Sequence, residues 1–185
     1  MQRKSAMLLR VWVTMWLLWS TTTYAGVELI DPFIGEYTGQ ATVEVDGVAQ
    51  NRDLKVSIAH TKAGFNVSWV TTRIRASGKA KTKSYSIDFV SSPRPNVFSS
   101  AMKVNVFGGS VALDPMQGDP YVWARIEGPT LTLYALHILD DGGYEMQVYD
   151  RTLAEGGLDL RFSRTRNGNP LRDIRASLRK MGSDG

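Results

Sequence analysis

The chain has 185 residues with 22 Lys+Arg against 18 Asp+Glu and no cysteine, which excludes disulfide frameworks, thiol catalysis, thiolate metal sites and cysteine lipidation. Three of the basic residues, Arg3, Lys4 and Arg10, lie in the first 25 positions, which hold no acidic residue. The remainder is close to neutral, so the basic pI of the whole chain points to no nucleic-acid partner.

Residues 1–25 have the layout of a secretory signal peptide. The three cations precede the apolar run Val11-Trp12-Val13-Thr14-Met15-Trp16-Leu17-Leu18-Trp19, and Thr23-Tyr24-Ala25 supplies small residues at the −3 and −1 positions before Gly26. The run is shorter than the roughly 20 apolar residues of a membrane-spanning helix. Cleavage after Ala25 and a periplasmic or secreted location are therefore expected. Residues 26–185 then form one domain, large enough to bury about 70% of its extended-chain surface without staples. They contain no apolar stretch of spanning length, so no transmembrane segment is expected in the mature chain.

After Asp31-Pro32 the apolar period is two, in segments ended by turn chemistry. Strands are predicted near 34–45, 52–61, 65–75, 83–90, 98–107, 121–127, 130–139, 144–153 and 158–166. Asp46-Gly47, Ala63-Gly64, Ser77-Gly78, Gly128-Pro129, Asp141-Gly142-Gly143 and Glu155-Gly156-Gly157 separate most of them. Consecutive strands joined by short turns make an antiparallel meander. It closes most simply into an all-β, up-and-down barrel of about eight or nine strands, which removes unpaired edges. The apolar sets Leu54, Val56, Ile58; Phe65, Val67, Trp69; Tyr85, Ile87, Phe89; Leu131, Leu133, Ala135; Tyr144, Met146, Val148; and Leu158, Leu160, Phe162 are assigned to the inner face. In 121–127 two inner faces are open, and Val122, Ala124 and Ile126 are preferred because the other face would bury Arg125 and Glu127. Residues 91–120, with four prolines, read as a lid, a binding loop or a plain excursion.

The tail, residues 169–180, reads as a short C-terminal helix. Asn169 stands as cap, Pro170 at the first position, and Leu171, Ile174, Leu178 and Met181 follow at helical intervals.

The opening Phe33-Ile34-Gly35-Glu36-Tyr37-Thr38-Gly39 resembles the first strand of the calycin barrels, the lipocalin-like and fatty-acid-binding families. There a glycine precedes an aromatic by two residues and a last-strand arginine packs across the ring. Tyr37 stands where tryptophan is usual, and Arg161 or Arg164 would be the arginine. The layout of residues 33–180 also resembles the exported, uncharacterised lipocalin-like proteins of proteobacteria. This resemblance implies a fold and no activity.

Counting by twos puts both histidines, His60 and His137, in the inward register. An inward imidazole suits a hydrogen bond to backbone, a ligand hydroxyl, general-base chemistry or haem iron. No histidine pair has metal-ligand spacing, so no metal and no cofactor are expected, with haem through His60 or His137 the one alternative kept. The same counting carries Thr71, Arg73 and Arg75 past Trp69, and Arg164 and Arg166 past Phe162, to one barrel mouth. A guanidinium there matches a carboxylate with two parallel hydrogen bonds. Asp114 and Asp119 flank a turn without the graded oxygen spacing of a calcium loop. Nucleophile-elbow, zinc-protease and phosphate-loop motifs are absent from the sequence.

The expectation is an exported barrel binding a small hydrophobic or amphipathic molecule, carboxylates included. Ile58, Phe65, Val67, Trp69, Ile87, Phe89, Leu133, Met146 and Phe162 would hold its apolar part, with Tyr37, His60, Arg73, Tyr85, His137 and Arg164 as polar contacts. Two alternatives stay open: an isomerase or lyase using an inward histidine, and a filled barrel that only displays 91–120 to a partner. The pattern sets no oligomeric state.

Overall fold

The computed structural model describes residues 28–45, 47–74, 78–101, 103–104, 110–111 and 113–182. The leader with its expected cleavage point, Arg75, and the end of the predicted 98–107 strand lie outside the described residues. The strands are β1 (Gly35–Val45), β2 (Val48–His60), β3 (Gly64–Ile74), β4 (Ala80–Ser91), β5 (Val97–Ser100), β6 (Lys103–Val104), β7 (Ser110–Val111), β8 (Tyr121–Glu127), β9 (Thr130–Ile138), β10 (Tyr144–Ala154), β11 (Gly157–Arg166) and β12 (Asn169–Lys180). All but β6 and β7, which pair with each other, join one closed antiparallel barrel in which sequence neighbours are spatial neighbours. Ten strands thus replace the eight or nine expected. No helix among the described residues is long and apolar enough to cross a membrane.

The tenth strand is the predicted helix. Residues 169–180 are extended and pair with β11 from Arg166↔Asn169 to Gly157↔Arg179, then with β1 at Tyr37↔Lys180, Thr38↔Arg179 and Gly39↔Leu178. The tail carries a second, period-two pattern in Arg172, Ile174, Ala176 and Leu178, and this one faces inward, where Leu178 is buried. Closing the barrel pairs two open edges at once, a gain that outweighs local helix preference. Pro170 is tolerated because it sits at the start of the strand, beside the irregularity between Arg164 and Thr165. The turn before it is Asn167-Gly168, with φ of 49° and 81°, the two left-handed residues that a tight hairpin requires.

A second register differs from expectation. On β10 the odd residues face inward, because Tyr149 opposes Leu133 on β9 and Phe162 on β11, and Arg151 opposes Leu131 and Leu160. Tyr144, Met146 and Val148 therefore face outward. The apolar set was the more hydrophobic of the two, but register is dictated by both neighbours, and a one-residue slip exchanges the faces. On β8 the preferred face is confirmed: Val122, Ala124 and Ile126 are buried, and Arg125 pairs with Glu127 outside at 2.6 Å.

The two ends of the barrel differ. At the end bearing the β2–β3, β4–β5, β8–β9 and β10–β11 turns, the 3₁₀ turn Asp31–Phe33 inserts Phe33, with Ile30 beside it, and both are buried. Above them Phe65 stacks on Phe89 at 5.2 Å and meets Phe98 edge-on at 5.0 Å, while Ile58, Val67, Ala124, Leu131 and Leu133 fill the remaining space. Each large side chain buried here stabilises by about 1.5–3 kcal/mol, so this half is a solid core. Among the described residues the opposite end is open. Residues 80–87 of β4 pair with β3 alone among the described residues, and Tyr85 on this stretch is 48% exposed.

Candidate ligand cavity

Above the solid half, the inner wall encloses a cavity of about 220 Å³. Its waist is aromatic. Trp69 stacks on Tyr85 at 5.1 Å and approaches Tyr149 at 5.2 Å, and Tyr149 meets Phe162 at 4.7 Å. Leu54, Leu160 and Ile174 add to the apolar lining. These residues come from β2, β3, β4, β10, β11 and β12, and the barrel brings them together because each occupies the inward position of its cross-strand row.

At the deep end of the cavity lies Arg151, with 0% of its surface exposed. Its Cζ is 5.4 Å from the Trp69 ring centroid and 5.8 Å from that of Tyr149. None of its three guanidinium nitrogens has a hydrogen-bond acceptor, and it has no ion-pair partner among the described residues. Burial pushes its pKa down to about 10, only partly opposed by Tyr149 and Asp150. A buried, unpaired cation costs several kcal/mol, and two aromatic faces return about 0.5–2 kcal/mol each. Protein interiors seldom retain such a group unless an anion meets it.

On the same wall, alternate residues of β10 form a hydrogen-bonded ladder. The Tyr149 hydroxyl donates to Gln147 Oε1 at 2.9 Å, Gln147 Nε2 donates to Glu145 Oε1 at 2.8 Å, and Arg164 Nη2 donates to Glu145 Oε2. Glu145 is 6% exposed. Burial alone would raise its pKa, but the bonds from Arg164 and Gln147 outweigh that and hold the carboxyl below its ordinary range. The Tyr149 hydroxyl is pushed up to about 12, chiefly by burial. Arg164 is therefore engaged by Glu145, whereas Arg151 meets two aromatic faces and no acceptor.

Of the residues expected to hold a ligand, Trp69, Tyr85, Phe162 and Arg164 line this cavity, and Arg73 lines the adjoining recess at the mouth. Ile58, Phe65, Val67, Phe89 and Leu133 belong to the solid core, and half-buried Ile87 packs against that core. Met146 faces away. Tyr37 is buried in the wall, its hydroxyl donates to the Phe33 carbonyl at 2.8 Å, and Lys180 Nζ lies 5.8 Å from its ring centroid. The last-strand cation over the aromatic is thus Lys180 rather than Arg161 or Arg164, because the last strand is β12. His60 is 46% exposed at the plugged end, where its Nε2 lies 3.1 Å from Asp31 of the 3₁₀ turn. His137 stands opposite Glu145 at the other end, so the two histidines do not share a site. No group of three or more His, Asp or Glu side chains able to hold a metal occurs among the described residues. Asp114 directs its carboxylate at Met116 N and Gln117 Nε2 within its own turn, both at 2.9 Å.

No family model matches the sequence, and no curated protein matches it. The cavity itself therefore carries the functional argument.

Sequence reasoning missed Arg151 because the wrong β10 register placed it outside. It missed Arg52, Lys81 and Lys83 because the count by twos was run forward past Trp69 and Phe162 but not backward from Leu54 and Tyr85. It missed Arg172 because the tail was read as a helix with Leu171, Ile174, Leu178 and Met181 as its apolar positions.

Proposed function

We propose that this protein binds a small amphipathic anion, with the acidic group on Arg151 and the apolar part against Trp69, Tyr85, Tyr149 and Phe162. The observation that carries this reading is a fully buried guanidinium, bare of acceptors, at the end of a cavity with an aromatic waist. A carboxylate there would accept two parallel hydrogen bonds from the guanidinium and remove the cost of its burial. A cavity of about 220 Å³ favours a medium-length chain over a long one.

Titration with decanoate in a calorimeter tests this. Stoichiometric binding with a negative heat-capacity change is expected, and decanol should bind at least about tenfold more weakly because it offers no charge to Arg151. Equal binding of acid and alcohol would dismiss the arginine as anchor.

On this reading the chain is a lipocalin-like carrier working outside the cytoplasm. The leader motif at residues 1–25 supports that location. Intact mass of the protein recovered from a secreting host should correspond to a chain beginning at Gly26, and a retained Met1 would remove the export proposal.

A further inference from the structure

The cavity has a second pole, and decanoate would leave it unserved. At the mouth, Arg52, Arg73, Lys81, Lys83 and Arg172 line a recess of about 280 Å³ in which Thr71 is the one uncharged residue. Arg52, Thr71, Lys83 and Arg172 also line the deeper cavity, so the two spaces are continuous. The register explains the grouping. Arg52 opposes Arg73, which opposes Lys81; Thr71 opposes Lys83; and Arg172 opposes Arg164. None of the five has a carboxylate within ion-pair distance among the described residues, and Arg52 Nε, although buried, has no acceptor. The cations press on one another: the Arg52 pKa is lowered by burial first, then by Arg172 and Arg73.

This collar is not a generic solvated surface. Several cations elsewhere on the barrel are paired, as Arg161 is with Asp173 at 2.8 Å and Arg166 with Asp141 at 2.8 Å. The glutamate that does face the interior, Glu145, is taken by Arg164. One tier of apolar side chains, Tyr149, Phe162 and Ile174, separates the row of Arg151 from the row of Arg164 and Arg172. Four residues of extended strand between those rows span about 13 Å.

We propose that the ligand is a dianion, a medium-chain molecule with an acidic group at each end, one on Arg151 and the other on the Arg52–Arg73–Arg172 collar. The proposal rests on the anion-binding reading above and narrows its substrate class. A monoanion seated on Arg151 would direct an apolar tail into five cations. A second acidic group at that point replaces its hydration with charged donors and relieves the repulsion among them.

The test compares decanedioate with decanoate on the full chain by calorimetry. Without a collar site the second carboxylate would weaken binding, because it must be drawn into a partly buried space unpaired. Decanedioate is instead expected to bind about tenfold tighter or more. The double variant R52Q/R172Q, with its fold checked by circular dichroism, should abolish that advantage, so that decanedioate binds it no tighter than decanoate does. Equal or weaker binding of decanedioate by the unaltered protein overturns the proposal and leaves the Arg151 reading standing if decanoate still binds. Equal losses for both ligands in the double variant overturn it too, since the collar then only concentrates anions near the mouth. If neither acid binds, both readings fall together. The comparison on the unaltered protein decides the matter even if the variant does not fold.

Discussion

Arg151→Met is expected to make the ligand-free protein more stable, by about 2 kcal/mol, and to cost it more than about tenfold in affinity for decanoate. Methionine fills a similar volume against Trp69 and Tyr149 and needs no acceptor, so the cost of an uncompensated charge disappears while the packing stays. For a chain of this size the midpoint of thermal unfolding should rise by roughly 4–8 °C. The pH dependence carries a definite sign. Burial lowers the arginine from its ordinary value to about 10 in the fold, so in the window between the two the unfolded state holds more protons. The unaltered protein therefore gains stability as pH rises through that window, the cost being fully present below it, and the gap to the variant should narrow. Calorimetric scans of both proteins in ligand-free form would check this. A variant less stable than its parent would mean that Arg151 has a structural partner, and the anchor reading would lose its basis. Residues that serve a ligand are commonly held at the expense of the empty fold, and Arg151 is placed to be one.

Gly157→Ala should destabilise by about 3 kcal/mol or more, whereas Gly156→Ala should cost about 1 kcal/mol. The two glycines are adjacent and their constraints differ in kind. A Cβ on Gly157 would stand 1.8 Å from the Leu178 carbonyl oxygen, which is backbone of the neighbouring strand and cannot swing aside. Gly156 has φ of 72° with nothing near the position of a Cβ, so only the left-handed conformation is penalised. Gly157 lies where β11 meets β12, next to buried Leu158 and Leu178, and separating these strands opens the barrel beside the β1–β12 pairing that closes it. Urea unfolding of the two variants gives the comparison directly. Near-equal losses would show that β12 can shift to make room.

Much of the fold was legible because alternation is a local property. Leu54, Val56 and Ile58, then Phe65, Val67 and Trp69, and likewise Leu158, Leu160 and Phe162, each announce a strand and its inner face without reference to anything else, and all three lie as read. The tail was misread despite a local signal. Asn167-Gly168 between two period-two runs is a strong hairpin mark, but Asn169-Pro170 also makes a good helix start, and Leu171 and Met181, which completed the helical pattern, are exposed at 52% and 60%. The mouth was partly legible, since the inward register that holds Leu54 and Tyr85 runs on to Arg52 and to Lys83.

What the sequence by itself determined is the all-β class, the meander order and most of the inner face, because these follow from side chains alternating along single strands and from glycine turns between them. What only the tertiary structure decided is the tenth strand, the register of β10 and, with it, the burial of Arg151. Each depends on which neighbours a strand meets across the barrel. An extended segment with two plausible faces carries no local term that prefers one, and the choice is made by the rows of Leu131, Leu160 and Tyr149 into which it must fit.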